Sequence, residues 1–327
     1  MRFRFFLQSD SFPKTTFGQK IARTGILILL ILNWGCNSKK HMLQEKRLLP
    51  DYPSASGIDY HNHAVYIIGD DANHLLILDS SLQTKDSITL FHFAEKRIPK
   101  KLKADLEAMT MLDDGRVLLT GSGAELPVRS VAWLIQPENK VKDSIRLDTF
   151  YQRLSLQGIQ ELNIEGITAY PGGFILSNRG SKGYPKNHLI FTRRNFWQRQ
   201  TTVEINSMLA GANTDSSTFS GISGITYASK QDALILTIST EDTRNNMDDG
   251  AIGTSYLWII RNISSKKNWK AVNPDIIINL DELDPKFVGQ KIESVCILKE
   301  TSSRYYLLLA ADNDNGSSTL FKMVVSK

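Results

Sequence analysis

Cysteine is almost missing from this chain: in 327 residues only Cys36 and Cys296 occur. A disulfide framework is therefore excluded, and with Cys36 modified no intrachain bridge can form at all. Long apolar runs are missing too. The longest, GILILLILNWG at 25–35, holds about ten apolar residues, half of the roughly 20 that a helix needs to cross a hydrocarbon core. A permanent transmembrane anchor is not expected. Strong helical periodicity is hard to find, with short helical turns suggested only at 97–105 and 206–211. No Ser-His-Asp or Cys-His constellation can be placed, so no nucleophile is assigned. Low-complexity tracts are absent, and a composition of 41% hydrophobic and 22% charged residues is that of a folded globular protein.

The N-terminus differs from the rest. Arg2, Arg4, Lys14, Lys20 and Arg23 precede the short apolar run, and Gly35-Cys36 follows at its end. A basic region, an apolar region and a small residue form the layout of an export signal. With a cysteine at its end, the segment resembles a bacterial lipoprotein signal, although Asn33 and Trp34 replace the usual aliphatic and small residues. The resemblance implies a signal peptide over 1–35, a lipid on Cys36, a polar tether over 36–41 and a folded domain over 42–327. The tether NSKK has no acidic run, which points to a lipid anchor in the outer membrane with the domain facing the periplasm. Residues 1–35 carry five Lys/Arg and one Asp, so the net charge of +5 falls to +1 without them. The remaining domain has no global basicity, and a nucleic-acid partner is not expected.

What the chain does have is a phrase that returns. Units begin at Ser54, Asp105, Asn163, Gly221 and Lys291, about 50 to 70 residues apart. Each has a short strand, a polar turn, an apolar strand, a polar loop and a third apolar strand. KDSITL from Lys85 and KDSIRL from Lys142 read as fourth strands of two units. This spacing suits an all-β fold, a five-bladed β-propeller of four-stranded blades. The last unit runs out after three strands, so Met42–Pro50 is expected to close it beside Thr319–Val325. A sixth, degenerate blade within 196–220 or 262–290 is the alternative.

Aligned by unit, one position reads Ser56, Glu107, Glu165, Ser223 and Glu293. First strands line a propeller's channel, so these five should converge on the axis. Three converging carboxylates cannot all stay ionised without a cation or large pKa shifts. A ring of carboxylate and hydroxyl oxygens suits Ca²⁺. The plainer alternative is that the glutamates are solvated at strand starts. The second-strand ends Asp70, Asp71, Glu125, Asn178, Arg179, Glu241, Asp242, Asp312 and Asn313 should crown one mouth of the channel, the default place for a ligand.

The order Ser, Glu, Glu, Ser, Glu over five units resembles the calcium-dependent apyrases (soluble calcium-activated nucleotidases). GDDAN at 69–73, GSGAE at 121–125 and STED at 239–242 are similar to that family's loops. The resemblance implies a central Ca²⁺ and, as a second reading, hydrolysis of phosphoanhydrides or phosphoesters. Arg179 would then hold phosphate charge, and Glu241, Asp242 or Asp71 would orient water. The family's N-terminal Asp-Leu-Asp strand has no counterpart, Ala72 stands where an arginine is expected, and a basic EKRIPKKLK replaces an Asp/Gly-rich loop. The metal site thus carries over better than the nucleotidase chemistry. The pattern also looks like envelope propellers of the Bacteroidetes type and, more loosely, like the phytase-like propellers. The implied partners are the membrane and either a phosphorylated small molecule or an envelope protein, the last in a scaffold role.

Other motifs are read as architecture. His61-Asn62-His63 falls in a turn between strands, and Asp312–Gly316 lacks EF-hand spacing and reads as a hairpin loop. Gly121-Ser122-Gly123 has no helix behind it to make a phosphate loop. Lys96, Arg97, Lys100, Lys101 and Lys103 read as a solvated loop, and Cys296 as a buried strand residue.

Overall fold

Apolar runs of five to nine residues, separated by Gly, Asn, Asp and Ser turns, dictate short strands. The structure is a computed structural model and describes residues 40–211, 219–241 and 252–327. The export signal, Cys36 and Asp242 lie outside the described residues. Five antiparallel sheets form the blades of a propeller. Blade one holds β2 (Ala55–His61), β3 (Ala64–Gly69), β4 (His74–Asp79) and β5 (Thr84–Thr89). Blade two holds β6 (Leu106–Met111), β7 (Val117–Gly121), β8 (Val131–Gln136) and β9 (Val141–Arg146). Blade three holds β10 (Ile164–Tyr170), β11 (Gly173–Asn178), β12 (His188–Thr192) and β13 (Ile205–Ala210). Blade four holds β14 (Ser220–Ala228), β15 (Ala233–Glu241), β16 (Ile252–Ile260) and β18 (Ile276–Asn279). β17 (Ala271–Val272), on the way to β18, pairs in parallel with the outer edge of blade three.

Blade five is closed from both chain ends. It holds β19 (Ile292–Glu300), β20 (Arg304–Asp312) and β21 (Ser318–Ser326), with β1 (His41–Leu49) as its outermost strand. β1 runs antiparallel to β21 from His41↔Val325 to Leu49↔Ser318, the expected closure. Pairing the first strand with the last removes an open edge and ties the ring shut. The segments considered for a sixth blade instead supply β13, β17, β18 and short helical turns. The stretch 97–105 holds a turn, and 206–211 is mostly β13.

Each apolar core lies between two consecutive blades, and together the five cores complete the circle. A blade is therefore covered on both faces, which explains why β3 is buried along all six residues rather than alternating. One helix was not foreseen. α1 (Asp148–Leu156) turns Phe150, Tyr151 and Leu154 into the core between blades two and three. Nine residues with three buried positions are too short a pattern to stand out against flanking strands. His61-Asn62-His63 does form the β2–β3 turn, with Asn62 and His63 at φ of 47° and 62°. Cys296 is a buried free thiol in β19.

The inner strands touch in the order β2, β6, β10, β14, β19 and back to β2. Polar clips join them. Asp59 Oδ2 accepts from the Met111 amide at 2.7 Å, and Thr168 Oγ1 accepts from the Tyr227 amide at 3.1 Å. This inner ring positions the candidate site.

Candidate functional site

In all five inner strands the residue expected at the axis is the extra residue of a β-bulge. β2 pairs with β3 through Ala55↔Gly69 and then Gly57↔Ile68, which leaves Ser56 unmatched. The same skip isolates Glu107, Glu165, Ser223 and Glu293. A bulge frees one residue from the ladder and re-aims its side chain. The next residue is always small: Gly57, Ala108, Gly166, Gly224 and Ser294. A Cβ on Gly166 would stand 2.6 Å from Ile225 Cγ2, and one on Gly224 would stand 2.7 Å from the Glu293 carbonyl oxygen. The Glu-Gly-Ile phrase thus encodes a bulge followed by a close blade-to-blade approach.

The two serines use their hydroxyls as clips. Ser56 Oγ donates to the Leu106 carbonyl at 2.7 Å, and Ser223 Oγ to the Ile292 carbonyl at 2.6 Å. Ser56 and the three glutamates line a polar cavity of about 60 Å³ with Ser54, Asp70, Arg179, Lys291 and Asp312. Ser223 is buried and is not among the lining residues.

A second tier sits two residues upstream of each bulge: Ser54, Asp105, Asn163, Gly221 and Lys291. Strand periodicity brings alternate residues to one side. Asn163 Nδ2 donates to Glu165 Oε1 at 2.6 Å, and Lys291 Nζ lies 3.2 Å from Glu293 Oε1. Asp105 is paired with Lys103 at 2.8 Å and Arg129 at 2.7 Å, while Lys103 also bonds Asp70. In blade four the tier has only Gly221, and the Arg179 stem fills its place. Arg179 Nη1 lies 3.8 Å from Glu165 Oε1 and 3.9 Å from Glu293 Oε2.

Charge does not balance here. Among the described residues, Asp70, Asp105, Glu107, Glu165, Glu293 and Asp312 are six carboxylates and Lys103, Arg129, Arg179 and Lys291 four cations, so with every group ionised two negative charges are in excess. Carboxylate oxygens of Asp70, Asp105 and Glu107 all lie within 4.8 Å of one another. Burial, reinforced by Asp105, Asp70 and Glu165, pushes the Glu107 carboxyl well above its ordinary range. Burial also raises Asp70, against the pull of Lys103. Asp312 is pushed up to about 7 by burial and by its acidic neighbours Asp314 and Asp70. For Lys103 burial acts downward, but Asp70, Asp105 and Glu107 outweigh it and hold the ammonium above its ordinary value. An all-oxygen set of anionic donors with an excess of two fits one hard divalent cation.

The crown residues divide. Asp70, Arg179 and Asp312 reach the cavity; Asp71, Glu125, Asn178 and Asn313 do not line it. Asp71 is buried against Arg97 at 2.5 Å, and Glu125 is exposed on its loop. Asn178 is fully buried and engages backbone, accepting from the Asn163 amide at 2.8 Å and donating to the Glu161 carbonyl at 3.0 Å. Asn313 donates to Gln290 Oε1 at 3.0 Å. Glu241 ends β15, its backbone paired with Ile252. The basic run is not simply a solvated loop, because Arg97 and Lys103 reach inward to Asp71 and Asp70. Lys103, Asp105, Arg129 and Lys291 escaped the sequence reading. For Asp105 and Lys291, the signal was there in the position two before each ring residue.

The model of a family described as "Family of unknown function (DUF6929)" matches residues 51–325. The chain belongs to that family. The matched span begins just before blade one and ends within β21, with β1 outside it. No curated protein matches the chain in sequence. Among solved structures it is similar to Myxococcus xanthus glutaminyl cyclase, with a TM-score of 0.51 and 9% identity over 88% of this chain and 97% of that one. The Malassezia sympodialis allergen Mala s 1 scores 0.45 at 12% identity, over 87% and 96% of the two chains. Virginiamycin B lyase from Staphylococcus aureus scores 0.39 at 12% identity, over 86% and 99%. Neither an apyrase nor a phytase is among these neighbours, and likeness at such identity concerns the fold alone.

Proposed function

We propose that this chain is a lipid-anchored cell-envelope propeller that holds Ca²⁺ at the channel mouth and binds a small phosphorylated ligand there. The carrying observation is the bulged ring: five blades place an oxygen donor at one register, and four of these donors line one cavity together with Asp70 and Asp312. Glu107, Glu165 and Glu293 would hold the ion, with Ser56 and Asp70 beside them. Ca²⁺ bound there would polarise a phosphoryl oxygen. Lys291 and Arg179 give the same cavity two cationic donors for phosphate oxygens. The lipid on Cys36 would keep the domain at the periplasmic face of the outer membrane.

The test is equilibrium dialysis of the full-length protein in detergent against Ca²⁺, followed by a nucleotide and phosphoester panel with Ca²⁺ and with chelator. Calcium retention and calcium-dependent ligand binding are expected. Calcium-dependent release of phosphate would make the protein a hydrolase. No calcium retention would overturn the reading.

A further inference from the structure

Arg179 has a course too specific for a chance surface residue. It leaves the end of β11 and crosses in front of blade four, where the second tier has a glycine. A Cβ on Gly221 would stand 2.4 Å from Arg179 Nε, 2.8 Å from Cγ and 3.1 Å from Cδ. Gly221 is thus a slot shaped to the arginine stem, and any other residue there would close it. The slot delivers Nη1 to within 3.8 Å of Glu165 and 3.9 Å of Glu293, ring carboxylates of blades three and five. Blade four, between them, offers Ser223, whose hydroxyl is committed to the Ile292 carbonyl. The guanidinium therefore stands beside a ring position where blade four has an uncharged Ser223.

We propose that Arg179 is the resident counter-ion of this ring and that a divalent cation binds by displacing it. The proposal rests on the Ca²⁺ reading above and adds a competitor to it. Ca²⁺ takes carboxylate oxygens at 2.3–2.6 Å. Because Nη1 lies 3.8 Å from Glu165 Oε1, an ion on that oxygen would stand no more than about 6 Å from a guanidinium left in its present place, and a +2 charge beside a +1 charge at that range repels strongly in a partly buried site. The two cations therefore compete for those carboxylates. The displaced side chain has a destination, because Asp312 lines the same cavity. In the absence of metal, the arginine adds to Lys291 and Asn163 in compensating Glu293 and Glu165, so the ring folds without an ion. With metal, the same arginine weakens the apparent affinity.

Calorimetric titration of Ca²⁺ into the full-length protein in detergent tests this on wild type, Arg179→Gln and Arg179→Lys. Removing the competitor should tighten binding about tenfold or more in Arg179→Gln, and in chelator that variant should melt below wild type. Arg179→Lys keeps a charge in the slot and should stay within about threefold of wild type. Arg179→Gln binding no tighter than wild type would overturn the proposal while leaving the calcium reading intact. Arg179→Lys binding as tightly as Arg179→Gln would also overturn it, since charge would then not be the cause. If neither wild type nor either variant binds, the proposal fails together with the calcium reading.

Discussion

Glu165 reaches the cavity because one extra residue is inserted in β10 and the glycine behind it lets blade four come close. Gly166→Ala would drive a methyl group into Ile225 and Ser177, whose Oγ would be 2.9 Å away. Overpacking of this kind costs about 1–3 kcal/mol. A urea midpoint lowered accordingly is expected, and an unchanged midpoint would show that the inner strands have slack. A second residue-scale prediction concerns His188. It is buried beside Tyr184, and burial together with Lys186 pulls its imidazole from 6.5 to about 4. The unfolded chain takes up a proton below pH 6.5, whereas the folded chain does so only near 4. Stability contributed by this group is therefore lost as pH falls between those values, by up to about 1.4 kcal/mol per pH unit. His188→Gln should flatten that part of the acid arm in urea unfolding at pH 4.5 and 7. Parallel curves for the two proteins would contradict it. At this scale the five ring positions were legible, because a repeated register needs only alignment. The counter-ions were not: Lys103 and Arg129 come from loops that differ between blades, and no repeat marks them.

At the scale of elements, closure is the point most open to test. β1 contributes the last ladder of blade five, and Leu43 and Leu49 join cores on its two faces. Deleting residues 42–50 leaves β21 as an unpaired edge and should replace one cooperative transition by a broad, lower one, read by circular dichroism on heating. A truncated protein that melts like wild type would refute the closure. Strand identity was legible wherever a unit repeated, down to the KDSI pair at β5 and β9. It failed where blades diverge. α1 is an insertion between blades two and three, and the fourth strand of blade four comes late, after an excursion that lends β17 to its neighbour. The bulges were not read from the sequence, since the extra residue stands out only once its partner strand is known.

For the whole molecule, the proposed lipid on Cys36 and the proposed ion in the cavity are the points to test. Mass spectrometry of the native protein should find an acylated N-terminal Cys36, and Cys36→Ala should move from the detergent phase to the aqueous phase. A mature chain that starts elsewhere without an acyl mass would contradict the anchor. The central claim is that the acidic mouth is balanced by a divalent ion, and it concerns the folded state alone. Ligand that binds only the folded state stabilises it by RT ln(1 + [L]/Kd), about 2.7 kcal/mol at 100 times Kd. The decisive measurement is the melting temperature of full-length wild type and Glu165→Gln, each with saturating Ca²⁺ and with chelator. The account predicts a rise of about 5 °C or more for wild type, a much smaller rise for Glu165→Gln, and a folded chelator-treated form of both. Identical wild-type melting with Ca²⁺ and with chelator would contradict it.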